Sequence, residues 1–204
     1  MRPKGAGDPR SFVSSARRAQ IVEAAIETVS EVGYANASLS RIAVRLGISK
    51  GVISYHFAGK DDLIAEIVRQ VLQRARGYME PRIEAQTTGP GMLRAYIESN
   101  LEFMRDNPNE ITVVVEIARA VIAGAKSPFK GDRDGAAHIL AELLARFQAA
   151  GDLRTDFDPT AMAIAIRAVI DAAAGRLADP AFNIDEYARE TATIFDRATC
   201  VTGV

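Results

Sequence analysis

With 204 residues, 48% of them hydrophobic and 25% charged, the chain can bury the core of one mid-sized domain or of a smaller and a larger one. No apolar run approaches the roughly 20 residues of a membrane-spanning helix. The net charge of −1 is unevenly spread, because residues 1–60 carry nine basic and four acidic side chains, whereas residues 61–204 carry 16 and 22, so a polyanionic partner is expected at the basic end.

The first 14 residues are rich in Gly, Pro, Ser and Arg and show no periodicity, so we expect a flexible basic arm over residues 1–14. They lack the apolar stretch of about 7 to 15 residues that a secretion signal contains, and a cytoplasmic location is therefore expected. After this arm, apolar residues recur every fourth position at Ile21, Ala25 and Val29. This pattern predicts an amphipathic helix that ends at Gly33.

Two short helices are predicted next, joined by a glycine turn. Ser38 can cap the first, whose apolar residues lie three and four positions apart as far as Leu46. Gly47 ends this helix, and Ser49 is a second capping residue that opens a helical segment over Lys50 to Phe57. The spacing predicts two helices that meet through a short turn.

The second of these helices has two unlike sides on a helical wheel. Ile53 and Phe57 share one side, whereas Gly51, Ser54 and Tyr55 lie on the other. A DNA major groove about 12 Å wide admits a helix whose outward residues are small or hydroxylated, and helix N-termini offer backbone N–H groups to phosphates. The pattern fits a helix-turn-helix, and an ordinary pair of helices in an all-α protein would show the same spacing.

Beyond these helices the chain repeats the helical spacing of apolar residues, and loop signals interrupt it at intervals. No stretch alternates with the period of two that is typical of strands, so an all-α fold is predicted. The interruptions include Asn107-Pro108, Ser127-Pro128, Gly151, Asp158-Pro159, which is a capping residue followed by a first-turn proline, and Asp179-Pro180.

Residues 38–64, SLSRIAVRLGISKGVISYHFAGKDDLI, closely resemble the N-terminal motif of the TetR/AcrR family of transcriptional regulators. The shared features are an Ile-Ala pair on the second helix, Gly-Ile-Ser at the turn, Tyr-His-Phe at the end of the third helix, and then Lys, two acidic residues and Leu. The resemblance covers residues 15–64. It departs from the family pattern at Ser54, where an aromatic residue is common, and at Val52, where Thr is frequent, and both departures concern the operator sequence.

The resemblance implies a three-helix DNA-binding domain over residues 15–64 and an all-helical ligand-binding and dimerisation domain over residues 65–204. The implied function is that of a ligand-responsive regulator, usually a repressor, that binds a palindromic DNA operator as a homodimer and is released by an effector. The residues implied to cap, flank or contact DNA are Ser38, Ser49, Lys50, Gly51, Val52, Ser54, Tyr55, His56 and Lys60.

Asn100 interrupts an otherwise apolar helical stripe, so it should be partly buried and need a polar partner. Mostly apolar surroundings would suit a small hydrophobic or amphipathic effector. Candidate ligand residues, each of which could instead serve the core or the surface, are Tyr96, Asn100, Phe103, Met104, Glu116, Phe147 and Ile166. The last two helices would form the dimer face, or an intrachain core, through Ala161, Ala163, Ile166, Val169, Ile170, Ala173, Tyr187, Thr191, Ile194 and Ala198.

Two other functions are compatible with an all-helical chain: an enzyme with a buried pocket, and an interaction bundle that does not bind DNA. An enzyme would need a nucleophile with a base, paired carboxylates or metal ligands, and the sequence shows none at a suitable spacing. Cys200 is the single cysteine, and His56 and His138 lack the spacing of metal ligands. No catalytic residue, metal or cofactor is therefore predicted.

Overall fold

The computed structural model describes residues 9–125 and 135–201, with side chains from residue 13 onward. Within these ranges the chain forms nine helices and no strand beyond a single bridge between Leu153 and Cys200. This result confirms the predicted all-α class. The helices are α1 (Pro9–Asn36), α2 (Leu39–Leu46), α3 (Lys50–His56), α4 (Lys60–Glu84), α5 (Gly89–Asp106), α6 (Pro108–Ile122), α7 (Gly135–Ala149), α8 (Pro159–Ala174) and α9 (Ile184–Thr199).

α1 begins earlier than the sequence predicts. Residues 9–14 are helical, where a flexible arm is expected, and residues 1–8 of that arm lie outside the described part of the chain. Proline suits the first turn of a helix because its missing N–H would have no partner there. At the other end, Gly33 leaves helical geometry with φ 77° and ψ 159°, at the position where the sequence predicts a break.

The described residues divide into two compact units. The first unit comprises residues 9–69 and 116–125, and the second comprises residues 70–115 and 135–201. α4 runs without a break through the predicted boundary between residues 64 and 65. The first unit includes the buried residues Ile67 and Val68 and runs as far as Arg69.

The core of the first unit is built from the periodic apolar residues of α1 to α4. Burial of each large aliphatic or aromatic side chain contributes about 1.5–3 kcal/mol, so a few such residues can hold these helices together. The largest fully buried members are Ile21, Ile26, Ile53, Phe57, Leu63 and Ile67.

The second unit is arranged around α5, which packs with α7, α8 and α9. Thr88 caps α5 by accepting a hydrogen bond from the N–H of Gly91 at 3.2 Å. Asp158 caps α8 in the same way through the N–H of Ala161 at 2.7 Å, with Pro159 in the first turn, as the sequence predicts. The predicted break at Ser127-Pro128 lies outside the described residues. None of the described helices combines the length and the hydropathy that spanning a membrane would require.

Candidate nucleic-acid interface

The start and the end of α2 are both fixed by the residues that the sequence predicts. Ser38 has an extended backbone, and its hydroxyl accepts a hydrogen bond from the N–H of Arg41 at 3.2 Å. Gly47 takes the left-handed conformation, with φ 63° and ψ 30°, which a residue with a Cβ adopts at a cost of about 1–2 kcal/mol. The left-handed turn lets the chain reverse before α3 begins.

Ser49 opens α3, but its hydroxyl makes no capping hydrogen bond among the described residues. Its backbone carbonyl instead accepts from the N–H of Val52 at 3.0 Å. The expectation that the Ser49 side chain caps α3 is therefore wrong, because the first turn is closed by the backbone alone.

The two sides of α3 differ as the helical wheel predicts. Ile53 and Phe57 are 0% and 1% exposed, whereas the side chain of Tyr55 is 83% exposed. Val52 is partly exposed, at 36%. Lys50, Gly51 and Ser54 are also exposed. Ile53 and Phe57 thus pack α3 against the core of the first unit, and the opposite side of α3 exposes mostly small or polar residues together with Tyr55.

Arg18 on α1 fixes the C-terminal end of α3. Its Nη1 donates to the carbonyl oxygen of His56 at 2.5 Å, and its guanidinium lies 4.1 Å from the centre of the Phe57 ring. Its Nη2 is 3.4 Å from a carboxylate oxygen of Glu66 on α4. The sequence analysis does not identify Arg18, because its partners lie far along the chain and leave no local pattern.

His56 and Lys60 are half-buried, unlike the other predicted DNA contacts. The His56 ring stands edge-on to Tyr55, with centroids 5.1 Å apart. The Lys60 ammonium donates to the carbonyl oxygen of Tyr34 at 2.6 Å and lies 4.3 Å from the centre of the Tyr34 ring. Burial lowers the pKa of Lys60, with Asp61 opposing, and burial followed by the charge of Asp61 raises the pKa of Tyr34. Lys60 therefore links the start of α4 to the end of α1 through Tyr34. Its role as a phosphate contact stays a prediction.

The exposed surface of α2 and α3 carries fewer unpaired positive charges than the charge count of residues 1–60 suggests. Arg45 is paired with Glu27, at 3.0 Å, and with Glu31, so these acidic side chains offset its charge. Arg41 and Lys50 are exposed. The free positive charge of the described part of this surface is therefore concentrated near the first turns of α2 and α3.

The predicted ligand residues do not all belong to the same unit. Glu116 lies in the first unit and forms an ion pair with Arg119 at 3.3 Å. The other six lie in the second unit, where all but the half-buried Phe147 are buried: Tyr96, Asn100, Phe103, Met104, Phe147 and Ile166. Their contact with an effector stays a prediction.

Asn100 finds its partner in a residue that the sequence analysis misses. Its Oδ1 accepts from Nη1 of Arg167 at 3.1 Å, and its Nδ2 donates to the carbonyl oxygen of Tyr96 at 2.8 Å. Nη1 of Arg167 also lies 3.4 Å from the Tyr96 hydroxyl, and Nη2 donates to Asp171 at 2.5 Å. The sequence signal for this cluster is Arg167 itself, because it is the only charged residue in the first three turns of the largely apolar α8.

A pocket of about 520 Å³ elsewhere in the second unit contains none of the predicted ligand residues. It is lined by Arg154, Thr155, Asp156, Arg197, Cys200 and Val201. Among the described residues, no group of three or more His, Cys, Asp or Glu side chains could hold a metal ion.

Half of the residues predicted for the dimer face lie inside the chain. Those buried are Ala163, Ile166, Ile170, Ala173 and Thr191. α8 is apolar on nearly every side, so helical spacing alone does not distinguish its inner from its outer face. The exposed apolar residues of α8 are Ala161, Ile164, Ala165, Ala168 and Ala172, which we call the α8 stripe, and Ile194 of α9 is 61% exposed.

The first unit thus contains two short helices joined by a left-handed glycine turn, with the second helix presenting a polar face, and this is the geometry of a helix-turn-helix. Residues 21–67 match the model of the bacterial regulatory proteins of the tetR family. Over these residues the chain is similar to the tetR family.

Individual relatives agree with this assignment. The transcriptional regulator BetI 1 of Chromohalobacter salexigens, described as HTH-type, is 36% identical over 46% of this chain and 47% of its own length, so the match spans about half of that relative. Two solved structures are similar over nearly the whole chain and show the same fold. The fatty acid degradation regulator FadR from Bacillus halodurans has a TM-score of 0.76 at 17% identity, covering 93% of this chain and 96% of that one. The ketosteroid transcriptional regulator KstR2 of Mycobacterium tuberculosis has a TM-score of 0.72 at 18% identity, covering 91% and 95%.

Proposed function

We propose that the protein is a transcription regulator that inserts α3 into the major groove of a DNA operator. The observation that carries this proposal is the outer face of α3, where Tyr55 is 83% exposed while Ile53 and Phe57 are fully buried beneath it. Exposing an aromatic side chain so completely has no benefit for folding, whereas a hydroxyl at the edge of a groove can donate to a phosphate.

The residues of this face divide into two roles. Val52 and Ser54 are small enough to let α3 approach base edges, where sequence is recognised. Tyr55, His56 and Lys60, together with the helix starts at Ser38 and Ser49, would contact the sugar-phosphate backbone, which positions the protein without reading sequence. Lys50 and Gly51 would flank the bases.

We further propose that two copies bind a palindromic operator in the cytoplasm and repress transcription. A homodimer with two-fold symmetry presents its recognition helices to successive major grooves. The exposed α8 stripe, together with Ile194, supplies an apolar surface that a second copy can cover. A small hydrophobic or amphipathic effector would bind the second unit and lower the affinity for DNA, and DNA would then weaken effector binding by the same factor.

A gel-shift titration with DNA from the region flanking the protein's own gene tests this function. Tyr55→Ala should weaken binding about tenfold for every sequence, because a phosphate contact is lost, and Lys60→Ala should weaken it in the same uniform way. Ser54→Ala or Val52→Ala should change the preferred sequence instead. Affinity should fall steeply as the salt concentration rises.

Ile122→Ala is the matched control, because Ile122 is 76% exposed in the same unit but lies on α6 rather than α3. It should bind as the parent does. Equal affinity of the parent and the α3 variants would overturn the assigned interface, and absence of any DNA binding would favour an interaction bundle.

A further inference from the structure

We propose that Arg167, with Tyr96 and Asn100, binds the acidic group of an amphipathic carboxylate effector. This inference rests on the proposed function, since it names the chemistry of the effector. The first observation is a largely buried arginine. Arg167 extends from α8 toward α5, and only 21% of its side chain is exposed.

The neighbours of Arg167 do not neutralise it on its buried side. Tyr96 and Asn100 are 6% and 8% exposed, and they offer a neutral hydroxyl and a neutral amide oxygen. Asp171 is the one carboxylate among its described partners, and this side chain is 61% exposed. A carboxylate in water attracts a nearby cation weakly, whereas desolvation of the guanidinium is costly unless a well-placed negative charge compensates for it.

The guanidinium also keeps unused donors. Arginine has five N–H donors, and Arg167 makes three hydrogen bonds with the described residues, all through Nη1 and Nη2. Its Nε has no partner in the described part of the chain. A planar guanidinium with free N–H groups binds a carboxylate through parallel charge-assisted hydrogen bonds, so an incoming acid would find both charge and donors.

A second observation, on α5, points to a missing polar partner. Ser99 is 2% exposed, and its hydroxyl oxygen is buried without a hydrogen-bond partner among the described residues. Most buried hydroxyls are satisfied, and an exception calls for a specific cause such as a bound group. Ser99 precedes Asn100 and lies about one turn after Tyr96, so the unsatisfied hydroxyl belongs to the stretch of α5 that supplies Arg167 with two of its partners.

The apolar surroundings define the rest of the ligand. Phe103 and Met104 follow Asn100 by about one turn and are buried, and Ile166 precedes Arg167 on α8 and is fully buried. Because α5 and α8 pack against each other and bury mainly apolar side chains, a ligand whose acid group meets Arg167 would place its body among hydrocarbon side chains. This combination selects a carboxylate on an apolar chain over a small polar anion.

Binding of three probes to the full-length protein tests the proposal: decanoate, decanol and acetate, each measured by thermal shift and by calorimetry. Decanoate should bind and raise the melting temperature, decanol should bind more weakly because it lacks the charge, and acetate should not bind detectably. Arg167→Met should weaken decanoate binding about ten- to a hundredfold, the effect of losing a charge-assisted contact, and leave decanol unchanged. Arg167→Lys keeps the charge but not the planar donors, and it should fall between the parent and Arg167→Met.

Two further variants separate a ligand site from a structural tie between α5 and α8. Asp171→Asn removes the carboxylate that competes for the guanidinium, so decanoate should bind more tightly; a purely structural arginine gives no such gain. Arg176→Met removes an exposed arginine of the same unit and should change nothing. Circular dichroism checks that every variant is folded, and Arg167→Lys carries the test if Arg167→Met is not.

Three outcomes would overturn the proposal: equal binding of decanoate and decanol, no binding of either, or decanoate binding that is unchanged in Arg167→Lys and Arg167→Met. The gel shift distinguishes this failure from failure of the proposed function. If the parent binds DNA but decanoate binding does not depend on Arg167, the acid site is wrong and the regulator stands. If decanoate binding depends on Arg167 but operator affinity does not respond to it, the site stands and its role as the effector site fails.

Discussion

At the scale of single residues, the position of α3 depends on a side chain that does not belong to it. Arg18 donates to the last carbonyl of α3 and covers the Phe57 ring, while its other nitrogen faces Glu66. The side chain of Glu66 is 11% exposed and also pairs with Arg69 at 2.6 Å, so Arg18 is one of two arginines that keep this half-buried carboxylate satisfied. Arg18 thus ties α1, α3 and α4 together at one point.

We expect Arg18→Met to lower the free energy of unfolding by about 1–3 kcal/mol, because a charge-assisted hydrogen bond is lost and a partly buried acceptor is left unsatisfied. Urea denaturation at a fixed protein concentration measures the change. Arg17→Met is the matched control, since Arg17 is its exposed neighbour on α1, and its effect should stay within about 0.5 kcal/mol. Equal losses for the two variants would show that the contact with His56 contributes little.

The outward side of α3 could be predicted from the sequence, whereas the residues that hold α3 in place could not. Gly51, Ser54 and Tyr55 lie on one short helix, where a helical wheel is enough to place them outward. Arg18 and Arg167 act through partners that are distant in sequence, 38 residues away for His56 and 67 for Asn100. Such contacts arise from tertiary packing, which local periodicity does not record.

At the scale of elements, α2 and α3 begin with the same residue type but in different ways. Ser38 caps α2 through its side chain, whereas Ser49 makes no capping bond with its hydroxyl. We expect Ser38→Ala to lower the free energy of unfolding by about 1 kcal/mol, and Ser49→Ala to change it by less than about 0.5 kcal/mol. Chemical denaturation of both variants side by side provides the comparison, and a larger loss for Ser49→Ala would contradict the capping geometry.

Helix boundaries were predictable where a specific backbone requirement marks them. Gly47 takes a positive φ at the end of α2, and Asp158 with Pro159 starts α8. The start of α1 could not be predicted, because a proline is compatible both with an irregular arm and with a first helical turn. The inner face of α8 was equally ambiguous, since alanine and isoleucine occupy its buried and exposed sides alike.

At the scale of the whole molecule, the boundary between the two units does not coincide with the end of a helix. α4 and α6 each contribute residues to both units, so no loop signal marks the boundary between the units. Ile67 and Val68 belong to the first unit and are buried, and they continue the apolar periodicity of α4 beyond Leu63 and Ile64.

The oligomeric state is the property of the whole molecule on which operator binding depends most directly. If the α8 stripe is the dimer face, Ile164, which is 56% exposed, lies among alanines that allow close helix packing. Ile164→Glu would place a charge in that apolar contact, where its desolvation opposes association. We expect this variant to elute as a monomer in size-exclusion chromatography with light scattering, and to lose more than tenfold in affinity for a two-fold operator because each copy then binds a half-site alone.

Ile139→Glu controls for the addition of a surface charge, because Ile139 is 49% exposed on α7 of the same unit and lies outside the stripe. It should remain dimeric and bind DNA as the parent does. A dimer that survives Ile164→Glu would exclude the α8 stripe as the contact, whereas a monomeric variant that still binds the two-fold site with full affinity would show that dimerisation is not what positions the recognition helices. Separating these two outcomes requires both measurements on the same preparation, because the chromatography tests the interface and the gel shift tests its consequence for DNA.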